Sequence, residues 1–169
     1  MNFENIVDEE LAIPYFRNFI TKEKEAEIFM YFNKVLFDNS GLQRNDTKGR
    51  NKIVRFGSTI PYYTDHTGLP IPDIFKDLLP NKNFTSVTIN EYHPGQSIDY
   101  HVDSPPSKEI MILSLCSSAT LKFRKKSNRD EIVEFELEQF SLAIIQGDLR
   151  WNWEHSLCAE NYRISVVFR

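Results

Sequence analysis

The chain has 169 residues, of which 41% are hydrophobic and 26% charged, so it is long and apolar enough for one soluble globular domain with a proper core. Its formal net charge of −4 argues against a protein that binds nucleic acid mainly through bulk positive charge. The N-terminus has no apolar signal segment, and no apolar run approaches the roughly 18 residues that span a bilayer. The chain has only two cysteines, which fits a reducing compartment. These features predict an intracellular protein, cytoplasmic or nuclear, that is neither secreted nor membrane-bound.

The N-terminal part, about residues 1–80, is predicted to be helical. Residues 21–37 follow Thr21, a residue type that caps helices, and carry apolar side chains at helical spacing. One face of this helix is predicted to pack on the core, and its members are Ala26, Phe29, Met30 and Asn33, flanked by Phe32 and Leu36.

Two further segments complete this half. Residues 40–52 are polar with two glycines and are predicted to form a mobile loop. Residues 68–80 are predicted to form a short helix that begins near Pro72 and stops at Pro80.

Basic residues cluster in two stretches, 43–55 and 122–126. Either stretch could form a local nucleic-acid surface, but a solvated loop or strand face is the commoner origin of such a run. The first stretch holds five cations against one acid, namely Arg44, Lys48, Arg50, Lys52 and Arg55 against Asp46.

From residue 84 onward, short β-branched or aromatic segments alternate with turn-forming residues, which predicts about seven strands. The clearest segments are 84–92, 109–117, 119–126, 131–138, 140–147 and 162–169. Two helical segments followed by these strands indicate an α+β chain whose body is a sandwich or barrel. We find no linker or internal repeat, so residues 1–169 are expected to form a single domain.

Two pairs of residues mark the candidate site. Asn90 and Tyr92 form the first pair and His101 and Asp103 the second, each two residues apart, so each pair faces one side of an extended chain. The segment 93–97 breaks the chain between them, which places the pairs on different strands. His93 itself is read as a turn residue.

A second histidine makes a metal site credible. His155 lies 52 residues after Asp103, just past a turn predicted at Gly147. Two imidazoles and one carboxylate form the facial triad that non-haem Fe(II) uses, and it leaves metal positions open for other ligands. Neither cysteine falls at a comparable spacing.

The last predicted strand supplies cations on one face. Arg163 and Arg169 share that face with Ser165 and Val167. An inward arginine is costly to bury unless it meets an anion, and its planar fork matches a carboxylate. Asn90 and Tyr92 could donate to the same anion, so the sequence predicts a metal with an organic acid beside it.

The order N-x-Y, H-x-D, H and R-x5-R resembles the AlkB family of Fe(II)- and 2-oxoglutarate-dependent dioxygenases. The likeness covers roughly residues 84–169, and the N-terminal half matches more loosely. It implies a double-stranded β-helix (jelly-roll) core with N-terminal helices packed on it. The implied iron ligands are His101, Asp103 and His155. The implied 2-oxoglutarate contacts are Asn90, Tyr92 and Arg163, with Arg169 supporting both Asp103 and the cosubstrate.

The implied reaction converts 2-oxoglutarate and dioxygen to succinate and carbon dioxide while a substrate C–H bond is hydroxylated. On an N-methyl group, the product breaks down to formaldehyde. The resemblance thus implies Fe(II), 2-oxoglutarate and dioxygen as cofactors and nucleic acid (DNA, RNA or tRNA) as the partner, with no obligate protein partner.

Three substrate classes follow from the family. Several bacterial members carry H-x-D-x-D, whereas Pro105 stands at the last position here, so their base specificity does not carry over. The local amino-acid sequence around His101 and Arg163 resembles more closely the branch that hydroxylates a modified wobble uridine in tRNA. These 169 residues hold neither the methyltransferase nor the RNA-binding domain usual in that branch. We therefore rank demethylation of N-alkylated bases first, tRNA hydroxylation second, and hydroxylation or demethylation of a protein third.

Two other classes are disfavoured. A non-catalytic jelly-roll binding module would usually have lost at least one metal ligand, and all three are present. A purely structural interaction domain leaves the inward arginines unexplained.

Substrate contacts are expected in the polar loop and in the segment after it. Flipped bases are commonly held by aromatic stacking and edge contacts. Tyr62, Tyr63 and His66 are therefore candidates, with core packing as the alternative for the tyrosines. Trp151 and Trp153 are also candidates, although core packing is the commoner role for such residues. Arg55 could bind backbone phosphate or make a structural salt bridge.

Overall fold

The structure is a computed structural model that describes residues 5–8, 12–38, 52–57, 69–79, 83–103 and 107–169, with the backbone alone at 5–8 and 36–38. In these ranges the helices are α1 Lys22–Asp38, α2 Asp73–Lys76 and α3 Gly147–Asn152. The strands are β1 Asn5–Asp8, β2 Ile13–Phe16, β3 Lys52–Gly57, β4 Ser86–Tyr92, β5 Ser97–His101, β6 Ile110–Leu115, β7 Ala119–Lys125, β8 Ile132–Leu137, β9 Leu142–Ile145, β10 Trp153–Cys158 and β11 Arg163–Phe168.

The strands form two antiparallel sheets. The major sheet has the order β1-β2-β9-β6-β11-β4-β3, and the minor sheet has the order β5-β10-β7-β8. The eight strands from β4 to β11 divide equally between them, and β1, β2 and β3 extend the two edges of the major sheet. This is the expected α+β architecture with a double-stranded β-helix core.

The central strand β11 is buried on both faces because its side chains alternate between two cores. Ile164, Val166 and Phe168 join a cluster that includes the buried face of α1. Val167 joins a second cluster that contains residues of both sheets. Arg163 and Ser165 share the face of Val167, so they point to the interior between the sheets.

Helix α1 confirms the predicted element and its cap, since the Thr21 hydroxyl accepts a hydrogen bond from Lys24 N at 3.3 Å. The predicted core face, however, is wrong at three positions. Ala26, Met30 and Asn33 are exposed, with Met30 71% exposed. The prediction is confirmed at Phe32, which is buried, and at Phe29, which packs partly buried against the core. The other buried side chains are Ile28 and Val35. An offset of two residues turns a helix by roughly 200°, which reverses the face.

The structure adds elements that the sequence did not predict. The N-terminal part contributes β1, β2 and β3 as well as helices, and each of these strands has six residues or fewer. Eight strands follow residue 84 instead of about seven, because residues 153–158 form β10. Gly147 begins α3 with a φ of 57° where a turn was expected. The short helix is confirmed only at Asp73–Lys76; Pro80 and residues 40–51 lie outside the described residues.

Helix α1 is also tied to a tight turn of the major sheet. Glu25 Oε1 accepts hydrogen bonds from Cys116 N at 2.6 Å and from Gln139 Nε2 at 3.0 Å. Cys116 has a φ of 70°, a left-handed conformation unusual for a residue with a side chain. The carboxylate therefore fixes the turn after β6 from the helix layer. In the described part of the chain, no helix has the length and apolar content needed to cross a membrane.

Candidate active site

Three potential metal ligands meet where β5 and β10 pair. His101 ends β5 and lies directly opposite His155 of β10, and Asp103 follows two residues after His101. The imidazole centroids are 4.4 Å apart. One ligand atom from each residue lies within 4.8 Å of the others. The structure thus brings together the three residues that the sequence singled out.

Hydrogen bonds orient two of these ligands. His101 Nδ1 lies 2.8 Å from the carbonyl oxygen of Asp99, and a bond to that acceptor requires the proton on Nδ1. Nε2 then keeps its lone pair for a metal. Asp103 Oδ1 accepts from Arg169 Nη2 at 2.6 Å, while Oδ2 lies 3.5 Å from His155 Nε2. One carboxylate oxygen is therefore fixed by arginine, and the other faces the histidine.

The protonation states also suit a metal. Burial alone would raise the pKa of Asp103, but Arg169, and then His155 and His101, outweigh burial and hold that pKa well below its usual value. Burial is the largest influence on His155 and lowers its pKa to about 4, against the opposing effect of Asp103. At neutral pH the site therefore offers one carboxylate and a neutral His155. Two imidazole nitrogens and a carboxylate oxygen fit Fe(II) by geometry and donor type.

Arg163 is a fully buried cation on the interior face of β11. Its Nη1 donates to the carbonyl of Ser117 and its Nη2 to Ser114 Oγ, both at 2.9 Å, and its Nε has no partner. Burial lowers its pKa to about 10, so it remains charged at neutral pH. Among the described residues, this guanidinium donates hydrogen bonds only to uncharged oxygen atoms.

The strand β4 lines the same interior face. Tyr92 pairs with Arg163 and Asn90 pairs with Ser165 across β4 and β11, so these side chains share one side of the sheet. Asn90 Nδ2 donates to Ser165 Oγ at 3.4 Å. Asn90 and Tyr92 are each 4% exposed. The residues predicted to surround an organic acid therefore lie together between the sheets.

Sequence reasoning missed several polar residues of this interior. Thr88 Oγ1 accepts from Arg169 Nη1 at 3.1 Å, and the alternation that selects Asn90 and Tyr92 also selects Thr88. Ser114 and Ser117, which bind Arg163, give no motif of their own. Arg150 is also buried, and its Nε donates to the carbonyl of Ser107 at 3.1 Å. The available signal for it was an arginine between two apolar residues, Leu149 and Trp151.

The proposed substrate residues have different locations. Arg55 lies on β3 opposite Thr88, hence on the same face of the major sheet as the site. Tyr62, Tyr63, His66 and Pro105 lie outside the described residues. Trp153 is buried and its Nε1 donates to Asp148 Oδ2 at 2.9 Å, in keeping with core packing. Trp151 is 43% exposed.

The basic stretch 122–126 belongs mainly to strand β7. Three of its four cations pair with glutamates: Lys122 with Glu134, Arg124 with Glu154 and Lys125 with Glu131. This agrees with the interpretation as a solvated strand face. His93 is in a turn, where its N donates to Gln96 Oε1 at 2.7 Å.

Comparison with known proteins gives a family match. A family model described as the 2OG-Fe(II) oxygenase superfamily matches residues 63–169. The chain is 36% identical over 81 residues to the tRNA (carboxymethyluridine(34)-5-O)-methyltransferase alkbh8 of Xenopus tropicalis, a match that covers 48% of this chain but only 13% of that protein. It is 25% identical over 173 residues to the uncharacterized protein L905 of Acanthamoeba polyphaga mimivirus, covering 90% of this chain and 81% of the relative.

A solved structure described as that of OsALKBH1 has the same fold. It superposes with a TM-score of 0.73 over 93% of this chain and 97% of the other, at 14% sequence identity. Identity this low carries the fold and nothing further. The match to the Xenopus protein spans a small part of that relative, so what its name says of activity describes that protein.

Proposed function

Because this chain belongs to the 2OG-Fe(II) oxygenase superfamily and is AlkB-like, we propose that it oxidatively demethylates N-alkylated bases in DNA or RNA. As a member of that superfamily it is a dioxygenase that uses Fe(II), 2-oxoglutarate and dioxygen. The observation that carries the proposal is a facial triad beside a buried arginine whose charge meets only neutral acceptors among the described residues.

His101, Asp103 and His155 would hold the iron. Bound Fe(II), together with 2-oxoglutarate and dioxygen, supplies the oxidising power for hydroxylation of a C–H bond. Arg169 orients Asp103 by fixing Oδ1 at 2.6 Å, which leaves Oδ2 for the metal. The carbonyl of Asp99 does the same for His101 by holding its Nδ1. Such outer partners set ligand direction and affinity.

Arg163 would bind the distal carboxylate of 2-oxoglutarate. Burying a guanidinium costs free energy unless an anion compensates its charge. The Nε–H group of Arg163 has no hydrogen-bond partner and could donate to such an anion. Its planar fork suits a carboxylate. Asn90 and Tyr92 line the same interior face and would add hydrogen bonds to the cosubstrate. Arg169 follows the opposite end of β11 and would support the end of 2-oxoglutarate that lies nearer the metal.

The substrate base would approach the metal from the side of β3. Arg55 lies opposite Thr88, whose hydroxyl contacts Arg169, so its strand borders the site. A cation there suits the phosphate backbone of a nucleic acid. The protein would position the N-alkyl carbon and keep water away, and the hydroxylated alkyl group would then leave as an aldehyde.

The first test measures formaldehyde release from single-stranded oligonucleotides that carry 1-methyladenine or 3-methylcytosine, with Fe(II), 2-oxoglutarate and ascorbate. Release by the wild type that disappears in His101→Ala would support the demethylase. No release from protein that still converts 2-oxoglutarate to succinate would reject it.

A second candidate function is hydroxylation of a modified wobble uridine in tRNA. It is favoured by the similarity to relatives from Xenopus tropicalis and Mus musculus whose names specify tRNA carboxymethyluridine. The test is mass spectrometry of nucleosides from tRNA that carries this uridine. A gain of one oxygen atom without formaldehyde would support the hydroxylase, and an unchanged nucleoside would reject it.

A further inference from the structure

The two tryptophans near the metal ligands have opposite surroundings. Trp153 is 7% exposed and bonded to Asp148, whereas Trp151 is 43% exposed. Trp151 lies in the last turn of the short helix α3, four residues before the predicted ligand His155. A large indole left exposed at this place in the fold costs hydration free energy, which a flat apolar partner would recover.

A buried arginine holds this indole at the edge of the metal centre. The guanidinium of Arg150 lies 4.4 Å from the centroid of the Trp151 ring. The same guanidinium donates to the carbonyl of Ser107, in the segment that follows Asp103. The charges of Asp103 and Arg169 both act on it. Arg150 therefore contacts both the exposed ring and Ser107, and its charge interacts electrostatically with Asp103 and Arg169 of the metal site.

An exposed lysine lies beside the same residue. Lys126 Nζ donates to the carbonyl oxygen of Trp151 at 2.6 Å, and Lys126 N donates to the carbonyl of Asn152 at 3.0 Å. The other cations of this stretch are paired with glutamates. Within the described ranges no carboxylate oxygen lies within ion-pair distance of Lys126, and Glu154 interacts with its charge only at longer range, while Arg124 takes the direct bond to that glutamate.

We propose that Trp151 and Lys126 form a nucleotide-binding rim in which the indole stacks on an unpaired base of the substrate strand and the ammonium binds a neighbouring phosphate. The inference rests on the proposed action on nucleic acid and specifies its substrate as one with unpaired bases. Indole faces stack on every base, and lysines track the backbone of single strands. Arg150 is the support that keeps the ring in place.

Binding without turnover tests the rim. Protein loaded with Fe(II) and 2-oxoglutarate under anaerobic conditions is titrated into a labelled single-stranded oligonucleotide with 1-methyladenine, and into a tRNA anticodon stem-loop. Trp151→Ala is expected to weaken binding by about 5- to 150-fold, the range for loss of one stacked base. Trp151→Phe should recover most of that loss. Met30→Ala, at an exposed apolar residue on α1, is the matched control.

Fluorescence gives a second readout of stacking. The buried Trp153 serves as an internal reference. Wild-type emission should be quenched when the oligonucleotide binds, and the quenching should vanish in Trp151→Phe even though binding persists. Quenching that survives this substitution would overturn the stacking assignment.

Salt dependence tests the lysine. Lys126→Ala should reduce the slope of log K against log salt by about 0.7, the value for one phosphate contact on a single strand. Lys122→Ala should leave the slope unchanged, because Lys122 is paired with Glu134. Equal slopes for Lys126→Ala and the wild type would overturn the phosphate contact.

The outcomes separate this inference from the proposed function. Wild-type binding that Trp151→Ala leaves intact would overturn the rim and leave the nucleic-acid substrate standing. A wild type that binds neither probe and oxidises no nucleic acid would overturn both.

Discussion

Arg163 begins β11 and Arg169 directly follows its last residue, and these two arginines have different partners. Arg169 donates to Asp103 at 2.6 Å and to Thr88, so its charge is matched inside the protein. Arg163 is fully buried and donates to two neutral oxygens, with its Nε unpartnered. One arginine is complete as a structural ion pair, and the other needs an anion from outside. Whether the charge of an arginine is already paired inside the protein, more than its position in a motif, distinguishes a supporting residue from a ligand-binding one.

The largest expected effect comes from the metal ligands that Arg169 helps to position. His101→Ala or Asp103→Ala should abolish Fe(II) binding and 2-oxoglutarate turnover in a protein that still folds, because two ligands cannot replace a facial triad. Metal titration and succinate release measure this. His93→Ala, at a half-exposed turn residue, is the control. Full activity in either ligand variant would reject the triad.

Arg163→Met tests the arginine with neutral partners. The apparent KM for 2-oxoglutarate should rise by roughly 30-fold or more, because a buried charge pair loses one partner. The rise in Tm that 2-oxoglutarate produces in the wild type should be lost at the same concentration. Arg124→Met removes an arginine from the partly buried ion pair with Glu154 and should change neither quantity. An unchanged KM would place the distal carboxylate elsewhere.

Arg169→Met tests the arginine that is already paired. Here we expect the affinity for Fe(II) to fall by roughly 10- to 100-fold, as when an outer partner of a ligating residue is removed. A metal titration followed by turnover at saturating metal distinguishes this from loss of cosubstrate. If Arg169→Met changed the KM for 2-oxoglutarate as much as Arg163→Met and left metal affinity intact, the contrast between the two residues would be wrong.

The smallest expected effect is on pH dependence. The pKa of His155 is about 4 in the folded protein and 6.5 as the reference for an exposed histidine. As pH falls below 6.5 the unfolded chain binds a proton that the folded chain does not, so the metal-free protein should lose stability down to about pH 4. Thermal melts across this range measure it. His155→Gln should flatten the curve above pH 4, whereas Asp103, whose pKa is also lowered, acts only at lower pH.

The sequence predicted the interior of the jelly roll better than its periphery. Asn90, Arg163 and Arg169 follow a two-residue alternation that survives in any strand, so their common face could be predicted. Strand β10 was not predicted, because its central inward position is His155, a polar residue, and because it directly follows a short helix. The face of α1 was misplaced because Ala26 and Met30 suit a core as well as Ile28 does.

Site contacts that depend on tertiary structure were beyond reach of the sequence. Arg163 donates its hydrogen bonds to oxygens of Ser114 and Ser117, more than forty residues away, and no sequence motif marks these serines. The burial of Arg150 likewise depends on the segment of Ser107 folding over it. By contrast, the contact of His101 with the carbonyl of Asp99 joins residues only two positions apart in one strand.

The carboxylate of Glu25 gives the helix layer a role in the order of folding. It fixes the amide of Cys116, and the next residue, Ser117, supplies an oxygen that Arg163 contacts. These bonds join residues 91 and 46 positions apart in the chain. Contacts of such high sequence separation close late and slow the search for the native state. We therefore expect the pocket around Arg163 to form late in folding, after the first helix has docked, so that the cosubstrate can bind only once that helix is in place.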